Sequence, residues 1–458
     1  MSNPVFKSFY PFTQELFAEY PLMSDAILDA AIENASEAYR TWKKYKFSER
    51  ADIFKNVAAI LRRDQETVAT LITREMGKII SESRAEVEKC AVTAEYYADH
   101  AESFLKDEFL IAGYTSSFVS YESIGVVLGI MPWNFPFWQV FRYAAPTLMA
   151  GNTTLLKHAP NVCGCALALE KIFKEAGAPA GVFASLIIDT PAVEKILASG
   201  KVRAATLTGS ERAGSSVASI AGRYIKKTVL ELGGSDALIV LPDADMKNAV
   251  SVALNSRMLN AGQSCIAAKR FIILKEALQD FMQEFILQLK KLKQGDPFDG
   301  SVTTGPMARP DLVEKLEKQL RISVEMSAKL VWGGEVDGCN FKPALLTEVK
   351  KGMPSFDEET FGPMAAITVA SDETEAIRLA NDSSYGLSGS IWTKDLDKGV
   401  SLARQMETGA VFINALVKSD PRLPFGGIKN SGYGRELGRH GILEFVNAKT
   451  IAAETSHV

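Results

Sequence analysis

Histidine is scarce in this chain, four in 458 residues, and its five cysteines (Cys90, Cys163, Cys165, Cys265 and Cys339) are odd in number and scattered. That usage argues against a disulfide framework and for a reducing cytoplasm. With so few histidines, Cys163-Gly164-Cys165 reads as small apolar residues on a helix rather than a zinc or redox pair, and no metal site is expected. Long apolar runs are missing too. The best, Ile124 to Met131, falls far short of the ~20 residues a membrane helix needs. Met1-Ser2-Asn3-Pro4-Val5-Phe6 lacks the basic and apolar regions of a secretory signal. A net charge of -4 supplies no basic footprint for nucleic acid. Repeats and low-complexity tracts are absent. What remains is a soluble, cytoplasmic chain too long for one core, which divides into two or three domains.

From Ser24 to about Asp107 the sequence reads as amphipathic helices, with starts at Ser24-Asp25 and Ser48-Glu49. Their Glu and Lys clusters read as solvated faces. Tyr114 to Glu122 switches to a β-branched and aromatic alternation, an exposed strand suited to pairing with another subunit. A β-α-β rhythm follows: strands Val126–Ile130, Thr153–Leu156 and Arg203–Leu207, with helices Phe137–Ala150 and Val162–Ala176. A second such unit begins at Ala237–Leu241 and continues through helix Asn248–Met258, strand Phe271–Leu274 and helix Phe281–Leu292. Strands Ala365–Val369, Ile391–Thr393 and Val411–Asn414 complete it. Strands alternating with helices imply parallel, right-handedly wound sheets. The tail Thr450–Ala453 is expected to pair with the early exposed strand.

Three groups carry chemistry. Cys265 ends the run Asn260-Ala261-Gly262-Gln263-Ser264-Cys265, a turn that can present both the thiol and its own backbone N–H. A sulfur nucleophile attacks as thiolate, and an unperturbed thiol is only a few per cent ionised near neutrality. Taken alone, the residue would read as a buried free cysteine. Glu231, followed by Leu232-Gly233-Gly234, sits at a strand end, where α/β proteins face their ligand crevice. The glycine pair permits close backbone approach. Asn134, in Pro132-Trp133-Asn134-Phe135-Pro136, is fixed by two prolines and two aromatics, so its amide can be aimed at an oxyanion, cap the next helix, or do both. Thr208-Gly209-Ser210 follows a strand and opens a helix, which suits a pyrophosphate. Glu359-Thr360-Phe361-Gly362-Pro363 offers a carboxylate for ribose hydroxyls and an aromatic edge for a nicotinamide ring. Lys157 ends a strand within reach of an adenosine ribose, or is simply exposed.

These motifs, with Pro424-Phe425-Gly426-Gly427-Ile428-Lys429, occur in the order and at the spacing that resemble the aldehyde dehydrogenase superfamily over nearly the whole chain. The resemblance implies an α/β fold with two doubly wound parallel-sheet domains. Residues 1–111 and 124–233 would bind the dinucleotide, and 234–430 would form the catalytic domain. Residues 112–123 and 431–458 would form a small β oligomerisation arm and C-terminal tail. It implies that Cys265 attacks the aldehyde, that Asn134 and the Cys265 N–H hold the oxyanion, and that hydride passes to NAD or NADP. Glu231 would then activate water to hydrolyse the thioester. Trp133, Lys157, Gly209, Ser210, Glu359 and Phe361 would line the cofactor site. Relatives that pass the acyl group to a thiol usually lack the Glu231 base, so its presence favours hydrolysis to a free acid.

Arg142 lies eight residues after Asn134, about two helical turns, and is similar to the arginine with which succinate-semialdehyde dehydrogenases hold a distal carboxylate. A structural ion pair is the alternative. Ser419 and Phe425 are further candidate contacts. Many enzymes of this specificity carry a second arginine six residues before the nucleophile, where this chain has Leu259; Arg257 is a candidate substitute. Three residues after Lys157, where many NAD-preferring relatives carry Glu, stands Pro160, so neither NAD nor NADP is excluded. The expected activity is therefore NAD(P)-dependent oxidation of succinate semialdehyde to succinate. The alternatives are a broad dehydrogenase of neutral aldehydes and a catalytically silent relative. A homodimer or homotetramer through the β arm is expected, with a small aldehyde as substrate.

Overall fold

In a computed structural model, which describes residues 4–455, the alternation of strand and helix builds two mostly parallel sheets. The first has the order Gly432–Tyr433, Lys227–Glu231, Val202–Thr208, Val126–Met131, Thr153–His158, Phe183–Ser185. It is parallel except for the antiparallel edge Gly432–Tyr433. Helices pack on both faces, which is why Val126–Met131 is an apolar run and both it and Thr153–His158 are almost wholly buried. The second has the order Lys329–Trp332, Ala344–Thr347, Met364–Ala370, Ala268–Leu274, Asp236–Val240, Ser388–Trp392, Ala410–Ile413. Only its first strand runs antiparallel.

The two sheets contribute to the crevice in opposite senses. Pro132–Pro136, Lys157, Thr208–Ser210 and Glu231 all stand at the carboxyl ends of strands of the first sheet, where open α/β sheets bind ligands. Cys265 and Glu359–Phe361 instead precede the strands Ala268–Leu274 and Met364–Ala370 of the second.

Helices Asp25–Trp42, Phe47–Arg63, Gln65–Met76 and Ile80–Phe104 precede the first sheet. Ser24 caps the first by accepting from Ile27 N. The second opens at Phe47, one residue before the expected start, because the Glu49 carboxylate reaches back to Lys46 N at 2.6 Å. The solvated-face reading of these helices is corrected at three places. Lys78 and Glu86 are fully buried and paired with each other. The buried Glu75 accepts from Gly164 N at 2.9 Å, Cys165 N at 2.8 Å and Ser8 Oγ at 2.9 Å. Glu75 thus caps helix Cys163–Glu175, and Cys163 and Cys165 are buried at that helix start. Ser8 belongs to a hairpin, Val5–Tyr10 against Glu15–Pro21, which the sequence reading did not anticipate.

A third, antiparallel sheet joins Glu108–Phe109, Ser116–Ser123 and Val446–Ala453. The tail pairs as expected, Thr450 opposite Val119 and Ala453 opposite Ser116. No helix among the described residues is long and apolar enough to cross a membrane.

Asn152 ties this arm to the first sheet. Its Oδ1 accepts from Ile124 N (2.8 Å) and Gly125 N (3.0 Å), and its Nδ2 donates to Thr147 O (3.2 Å) and Phe445 O (2.8 Å). Alanine there strands the N–H groups of Ile124 and Gly125 and the carbonyl of Phe445, while Thr147 O keeps Asn152 N at 3.2 Å; each stranded group costs about 1–3 kcal/mol. Asn152→Ala is expected to lower the thermal unfolding midpoint by about 5 °C or more. A shift below about 1 °C in a thermal-shift assay would show that solvent or rearrangement replaces these bonds.

Candidate active site

Two cavities meet at Cys265. The larger, of about 430 Å³, is lined by Trp133, Asn134, Lys157, Gly209, Ser210, Glu359 and Phe361. The smaller, of about 190 Å³, is lined by Lys89, Trp138, Arg142, Leu259, Ser419 and Phe425. Cys265 and Gln139 line both, so a group entering either cavity reaches the sulfur.

The turn that presents Cys265 is held in an unusual backbone. Asn260, Ala261 and Gly262 have φ of 54°, 51° and 73°, the left-handed region that disfavours side chains. A Cβ on Gly262 would also stand 2.3 Å from Gly362 O. Strain of this kind, about 1–3 kcal/mol per residue, persists where the surroundings over-determine it, and here they do. Asn260 Nδ2 donates to Asn134 O at 2.8 Å and Gln263 O at 3.2 Å. Lys269 Nζ donates to Ser264 O at 2.9 Å and Cys265 O at 2.7 Å. Arg257 donates to Gly262 O at 2.5 Å and Ala268 O at 3.3 Å. These bonds correct the reading of Arg257 as a substrate contact. Its guanidinium is wholly buried beneath the turn and lines neither cavity. The place six residues before Cys265 is filled by the apolar Leu259.

Asn134 Nδ2 donates to Gln263 O at 3.0 Å, leaving its second N–H free. The Pro132–Pro136 loop is clamped at both ends. His158 contacts Met131 O at 3.2 Å and Pro136 O at 2.8 Å through its two ring nitrogens. The Glu86 carboxylate accepts from Phe137 N and Trp138 N at 2.9 and 3.0 Å, capping helix Trp138–Met149. Lys269, His158 and Glu86 escaped the sequence reading. A lysine four residues after a candidate nucleophile, at the start of an apolar strand, is the one signal that would have flagged the first.

Glu231 ends its strand as expected, but its side chain lines neither cavity. It lies under Gly426, where an added Cβ would come within 2.6 Å of its Oε1. Burial, and then the neighbouring Glu436 carboxylate, hold the Glu231 carboxyl well above the usual range. Glu436 in turn faces Arg142, whose Nε lies 2.6 Å from Glu436 Oε2, a close charge contact without the alignment of a good hydrogen bond. Arg142 Nη2 also donates to Thr208 Oγ1 at 3.2 Å, and the guanidinium stands 4.5 Å over the Phe425 ring. Arg142 therefore lines the smaller cavity and is at the same time one half of a buried ion pair. Ser419 Oγ accepts from both Lys89 Nζ and Trp138 Nε1 at 3.0 Å.

The larger cavity fits a dinucleotide by its donors. Gly209 and Ser210, which line the cavity, precede the 13-residue helix Glu211–Arg223, with Ser210 Oγ accepting from Ala213 N at 3.3 Å, a helix start at the cavity wall of the kind that suits an anion. Lys157 is buried and donates only to His158 O at 3.3 Å, leaving N–H groups for hydroxyls or phosphate. Trp133 and Phe361 meet edge to face at 5.8 Å. Glu359 accepts from Gly234 N at 2.9 Å.

The aldehyde dehydrogenase family profile matches residues 1–451. A probable NADP(+) succinate-semialdehyde dehydrogenase of Synechocystis is 46% identical over 444 residues, covering 96% of this chain and 98% of that one. The NAD(P)+ succinate semialdehyde dehydrogenase Sad of Escherichia coli is 43% identical over 447 residues, 97% of each. The crystal structure of the Streptococcus pyogenes succinic semialdehyde dehydrogenase with NADP+ superposes with a TM-score of 0.96 at 39% identity, covering 98% of this chain and all of that one. The chain belongs to the aldehyde dehydrogenase family, and its fold and enzyme class are those expected from the sequence.

Burial pushes the Cys265 thiol up to about 11, against the opposing charges of Arg142 and Lys269. Without cofactor, the thiolate fraction and hence alkylation should keep climbing with pH. The rate of iodoacetamide labelling of Cys265, followed by mass spectrometry, is expected to rise about tenfold per pH unit between about pH 7 and 9 with no plateau. A plateau near neutrality would mean that the thiolate is already formed at rest.

Proposed function

We propose that this protein oxidises succinate semialdehyde to succinate, with NADP or NAD as acceptor and release of the free acid. The observation that carries the reading is the position of Cys265 at the junction of a dinucleotide-sized crevice and a small, cation-bearing cavity. The relatives described above, named for this substrate, support it. The cavity of about 190 Å³ suits a short chain, and its cations suit a second, charged end.

In this reading the aldehyde enters the smaller cavity, the Cys265 thiol gives its proton to solvent, and the thiolate Sγ bonds to the carbonyl carbon. The free N–H of Asn134 and the Cys265 backbone N–H receive the oxyanion, a contact type worth about 10²–10³ in rate. Nicotinamide, when bound, is the acceptor of the hydride that leaves that carbon. Trp133, Phe361 and Glu359 position its ring and ribose, Lys157 the adenosine end, and Gly209 and Ser210 the phosphates. Glu231, as carboxylate, then rotates from under Gly426 and takes a proton from water; the water oxygen replaces sulfur at the acyl carbon, and the Glu231 carboxyl passes that proton to the departing Sγ, returning Cys265 as thiol and Glu231 as carboxylate. Its high resting proton affinity suits a base that must hold that proton in a buried site.

Two further assignments belong to this proposal. The apolar exposure of the β arm, with Phe109 and Ile111 open to solvent, favours a homodimer through the arm, or a tetramer built from two. Five free cysteines favour a reducing, cytoplasmic setting.

Kinetics with a panel of succinate semialdehyde, glutarate semialdehyde, butanal and benzaldehyde test the substrate. A preference of about 100-fold in kcat/KM for succinate semialdehyde over butanal is expected, the size of a good charge-assisted contact. Equal rates on butanal would make the enzyme a general aldehyde dehydrogenase. Pro160 lines the cofactor cavity beyond Lys157. Pro160→Glu is expected to lower kcat/KM with NADP+ by about tenfold or more while NAD+ suffers less, because like charges then face each other. An equal loss with both would place the 2′-phosphate elsewhere.

A further inference from the structure

We infer that the buried ammonium of Lys269 acts through its charge, strengthening the oxyanion donor and stabilising the thiolate of Cys265, and is a positioning residue of the reaction rather than only a brace of the turn. The inference rests on the mechanism proposed above, in which the Cys265 backbone N–H receives the oxyanion, and it holds for any aldehyde. That N–H belongs to the peptide unit between Ser264 and Cys265, whose carbonyl is Ser264 O. Lys269 Nζ donates to this oxygen at 2.9 Å. The peptide bond is delocalised, so a cation on its oxygen draws electron density from its nitrogen and makes the N–H a better donor. Nζ also donates to Cys265 O at 2.7 Å and to Ala267 O at 3.4 Å, which uses all three protons of the ammonium.

Two further observations point to charge, not hydrogen bonding alone, as the reason for a lysine here. The strand is irregular at this residue. Asp236 pairs with Ala268 and Ala237 with Arg270, so Lys269 is the extra residue where the register of Ala268–Leu274 slips, an irregularity that re-aims a side chain. The side chain is also wholly enclosed, and Glu359 Oε1 stands off at 3.9 Å while the bonds run to carbonyls. A buried ammonium costs far more than a buried amide, and a glutamine would serve carbonyls at lower cost. The acids that face Lys269 are shared with other donors, Glu359 with Gly234 N and Asp236 with Ser388. Burial lowers the proton affinity of Lys269; Glu359, then Asp236, oppose burial, and Arg257 adds to it. Of the two cations that hold the Cys265 thiol down against burial, Arg142 is turned toward Glu436 at 2.6 Å. Lys269 is the one bonded to the backbone of the nucleophile itself. In this role it neither gives nor takes a proton.

The test uses Lys269→Gln, which keeps donors for the carbonyls without the charge, and Lys269→Met, which keeps neither, each checked for folding by circular dichroism. Cys265 of the cofactor-free enzyme is labelled with neutral iodoacetamide and with anionic iodoacetate, reagents of similar size, and followed by mass spectrometry. Loss of the cation is expected to slow labelling at about pH 8 by about tenfold and to lower the iodoacetate-to-iodoacetamide ratio by about threefold. A merely displaced turn would slow both reagents alike and leave the ratio where it was. In single-turnover NADPH formation with succinate semialdehyde, hydride transfer is expected to slow by about tenfold or more in both variants, with half-saturation by aldehyde changed less than about threefold. An unchanged reagent ratio in either folded variant overturns the inference, and so does a Lys269→Gln enzyme within about twofold of wild type in hydride transfer. If the wild type oxidises no aldehyde, the mechanism above fails; the labelling ratio needs no turnover and still tests the charge at the thiolate.

Discussion

Three consecutive residues in the left-handed region, Asn260 to Gly262, decide where the reactive sulfur stands, and much of the surrounding structure is arranged to keep them there. Such a turn does not hold itself. Asn260 reaches across to the Asn134 loop of the first sheet, while Lys269 and Arg257 draw the carbonyls of the turn toward the second. The nucleophile and the oxyanion donor are thereby fixed to each other by direct bonds across the seam between the sheets. That matters because displacements of about 1 Å at a reacting centre cost large factors in rate.

Buried charge is the second theme. Few of these groups could be buried singly, so they come in sets: Lys78 with Glu86, Arg142 with Glu436 and Glu231, Lys269 with backbone carbonyls and the more distant Glu359. Removing one member would strand another in a low-dielectric interior, a larger penalty than the pair is worth. Each set also touches the site. Glu86 fixes the start of the helix behind Asn134, and Glu436 and Arg142, acting oppositely, adjust the proton affinity that burial has already raised at Glu231. Stability and catalysis here draw on the same side chains.

The sequence disclosed the chemistry better than its supports. Cys265, Asn134, Gly209, Ser210 and Phe361 stand in short motifs rich in glycine, proline and aromatics, where local geometry is dictated by a few residues, and the cavities contain them. The parallel strands were legible because burial on both faces makes them continuous apolar runs. Arg257 misled because sequence distance from Cys265 says nothing of direction, and its side chain points under the turn instead of into the cavity. Glu75, Glu86 and Lys89 were illegible because helical periodicity cannot tell a solvated charge from one buried against a distant element. Lys78 apart, the partners that hold them include segments far along the chain, from Phe137 to Gly164, Cys165 and Ser419.

The closing strand Val446–Ala453 lies opposite Ser116–Ser123, residues synthesised more than 300 positions earlier (450 − 119 = 331 for the Thr450–Val119 pair). Gly432–Tyr433 likewise completes the edge beside Glu231. On a ribosome, the first sheet therefore waits with an open edge, and the arm with one side of Ser116–Ser123 unpaired, until residues 432–453 emerge. Pairings of such long sequence separation are slow to form, and exposed edges invite aggregation meanwhile. The final segment thus acts as a clasp: a prematurely terminated chain keeps every residue that touches substrate up to Phe425, yet lacks the pieces that close the sheet carrying its base.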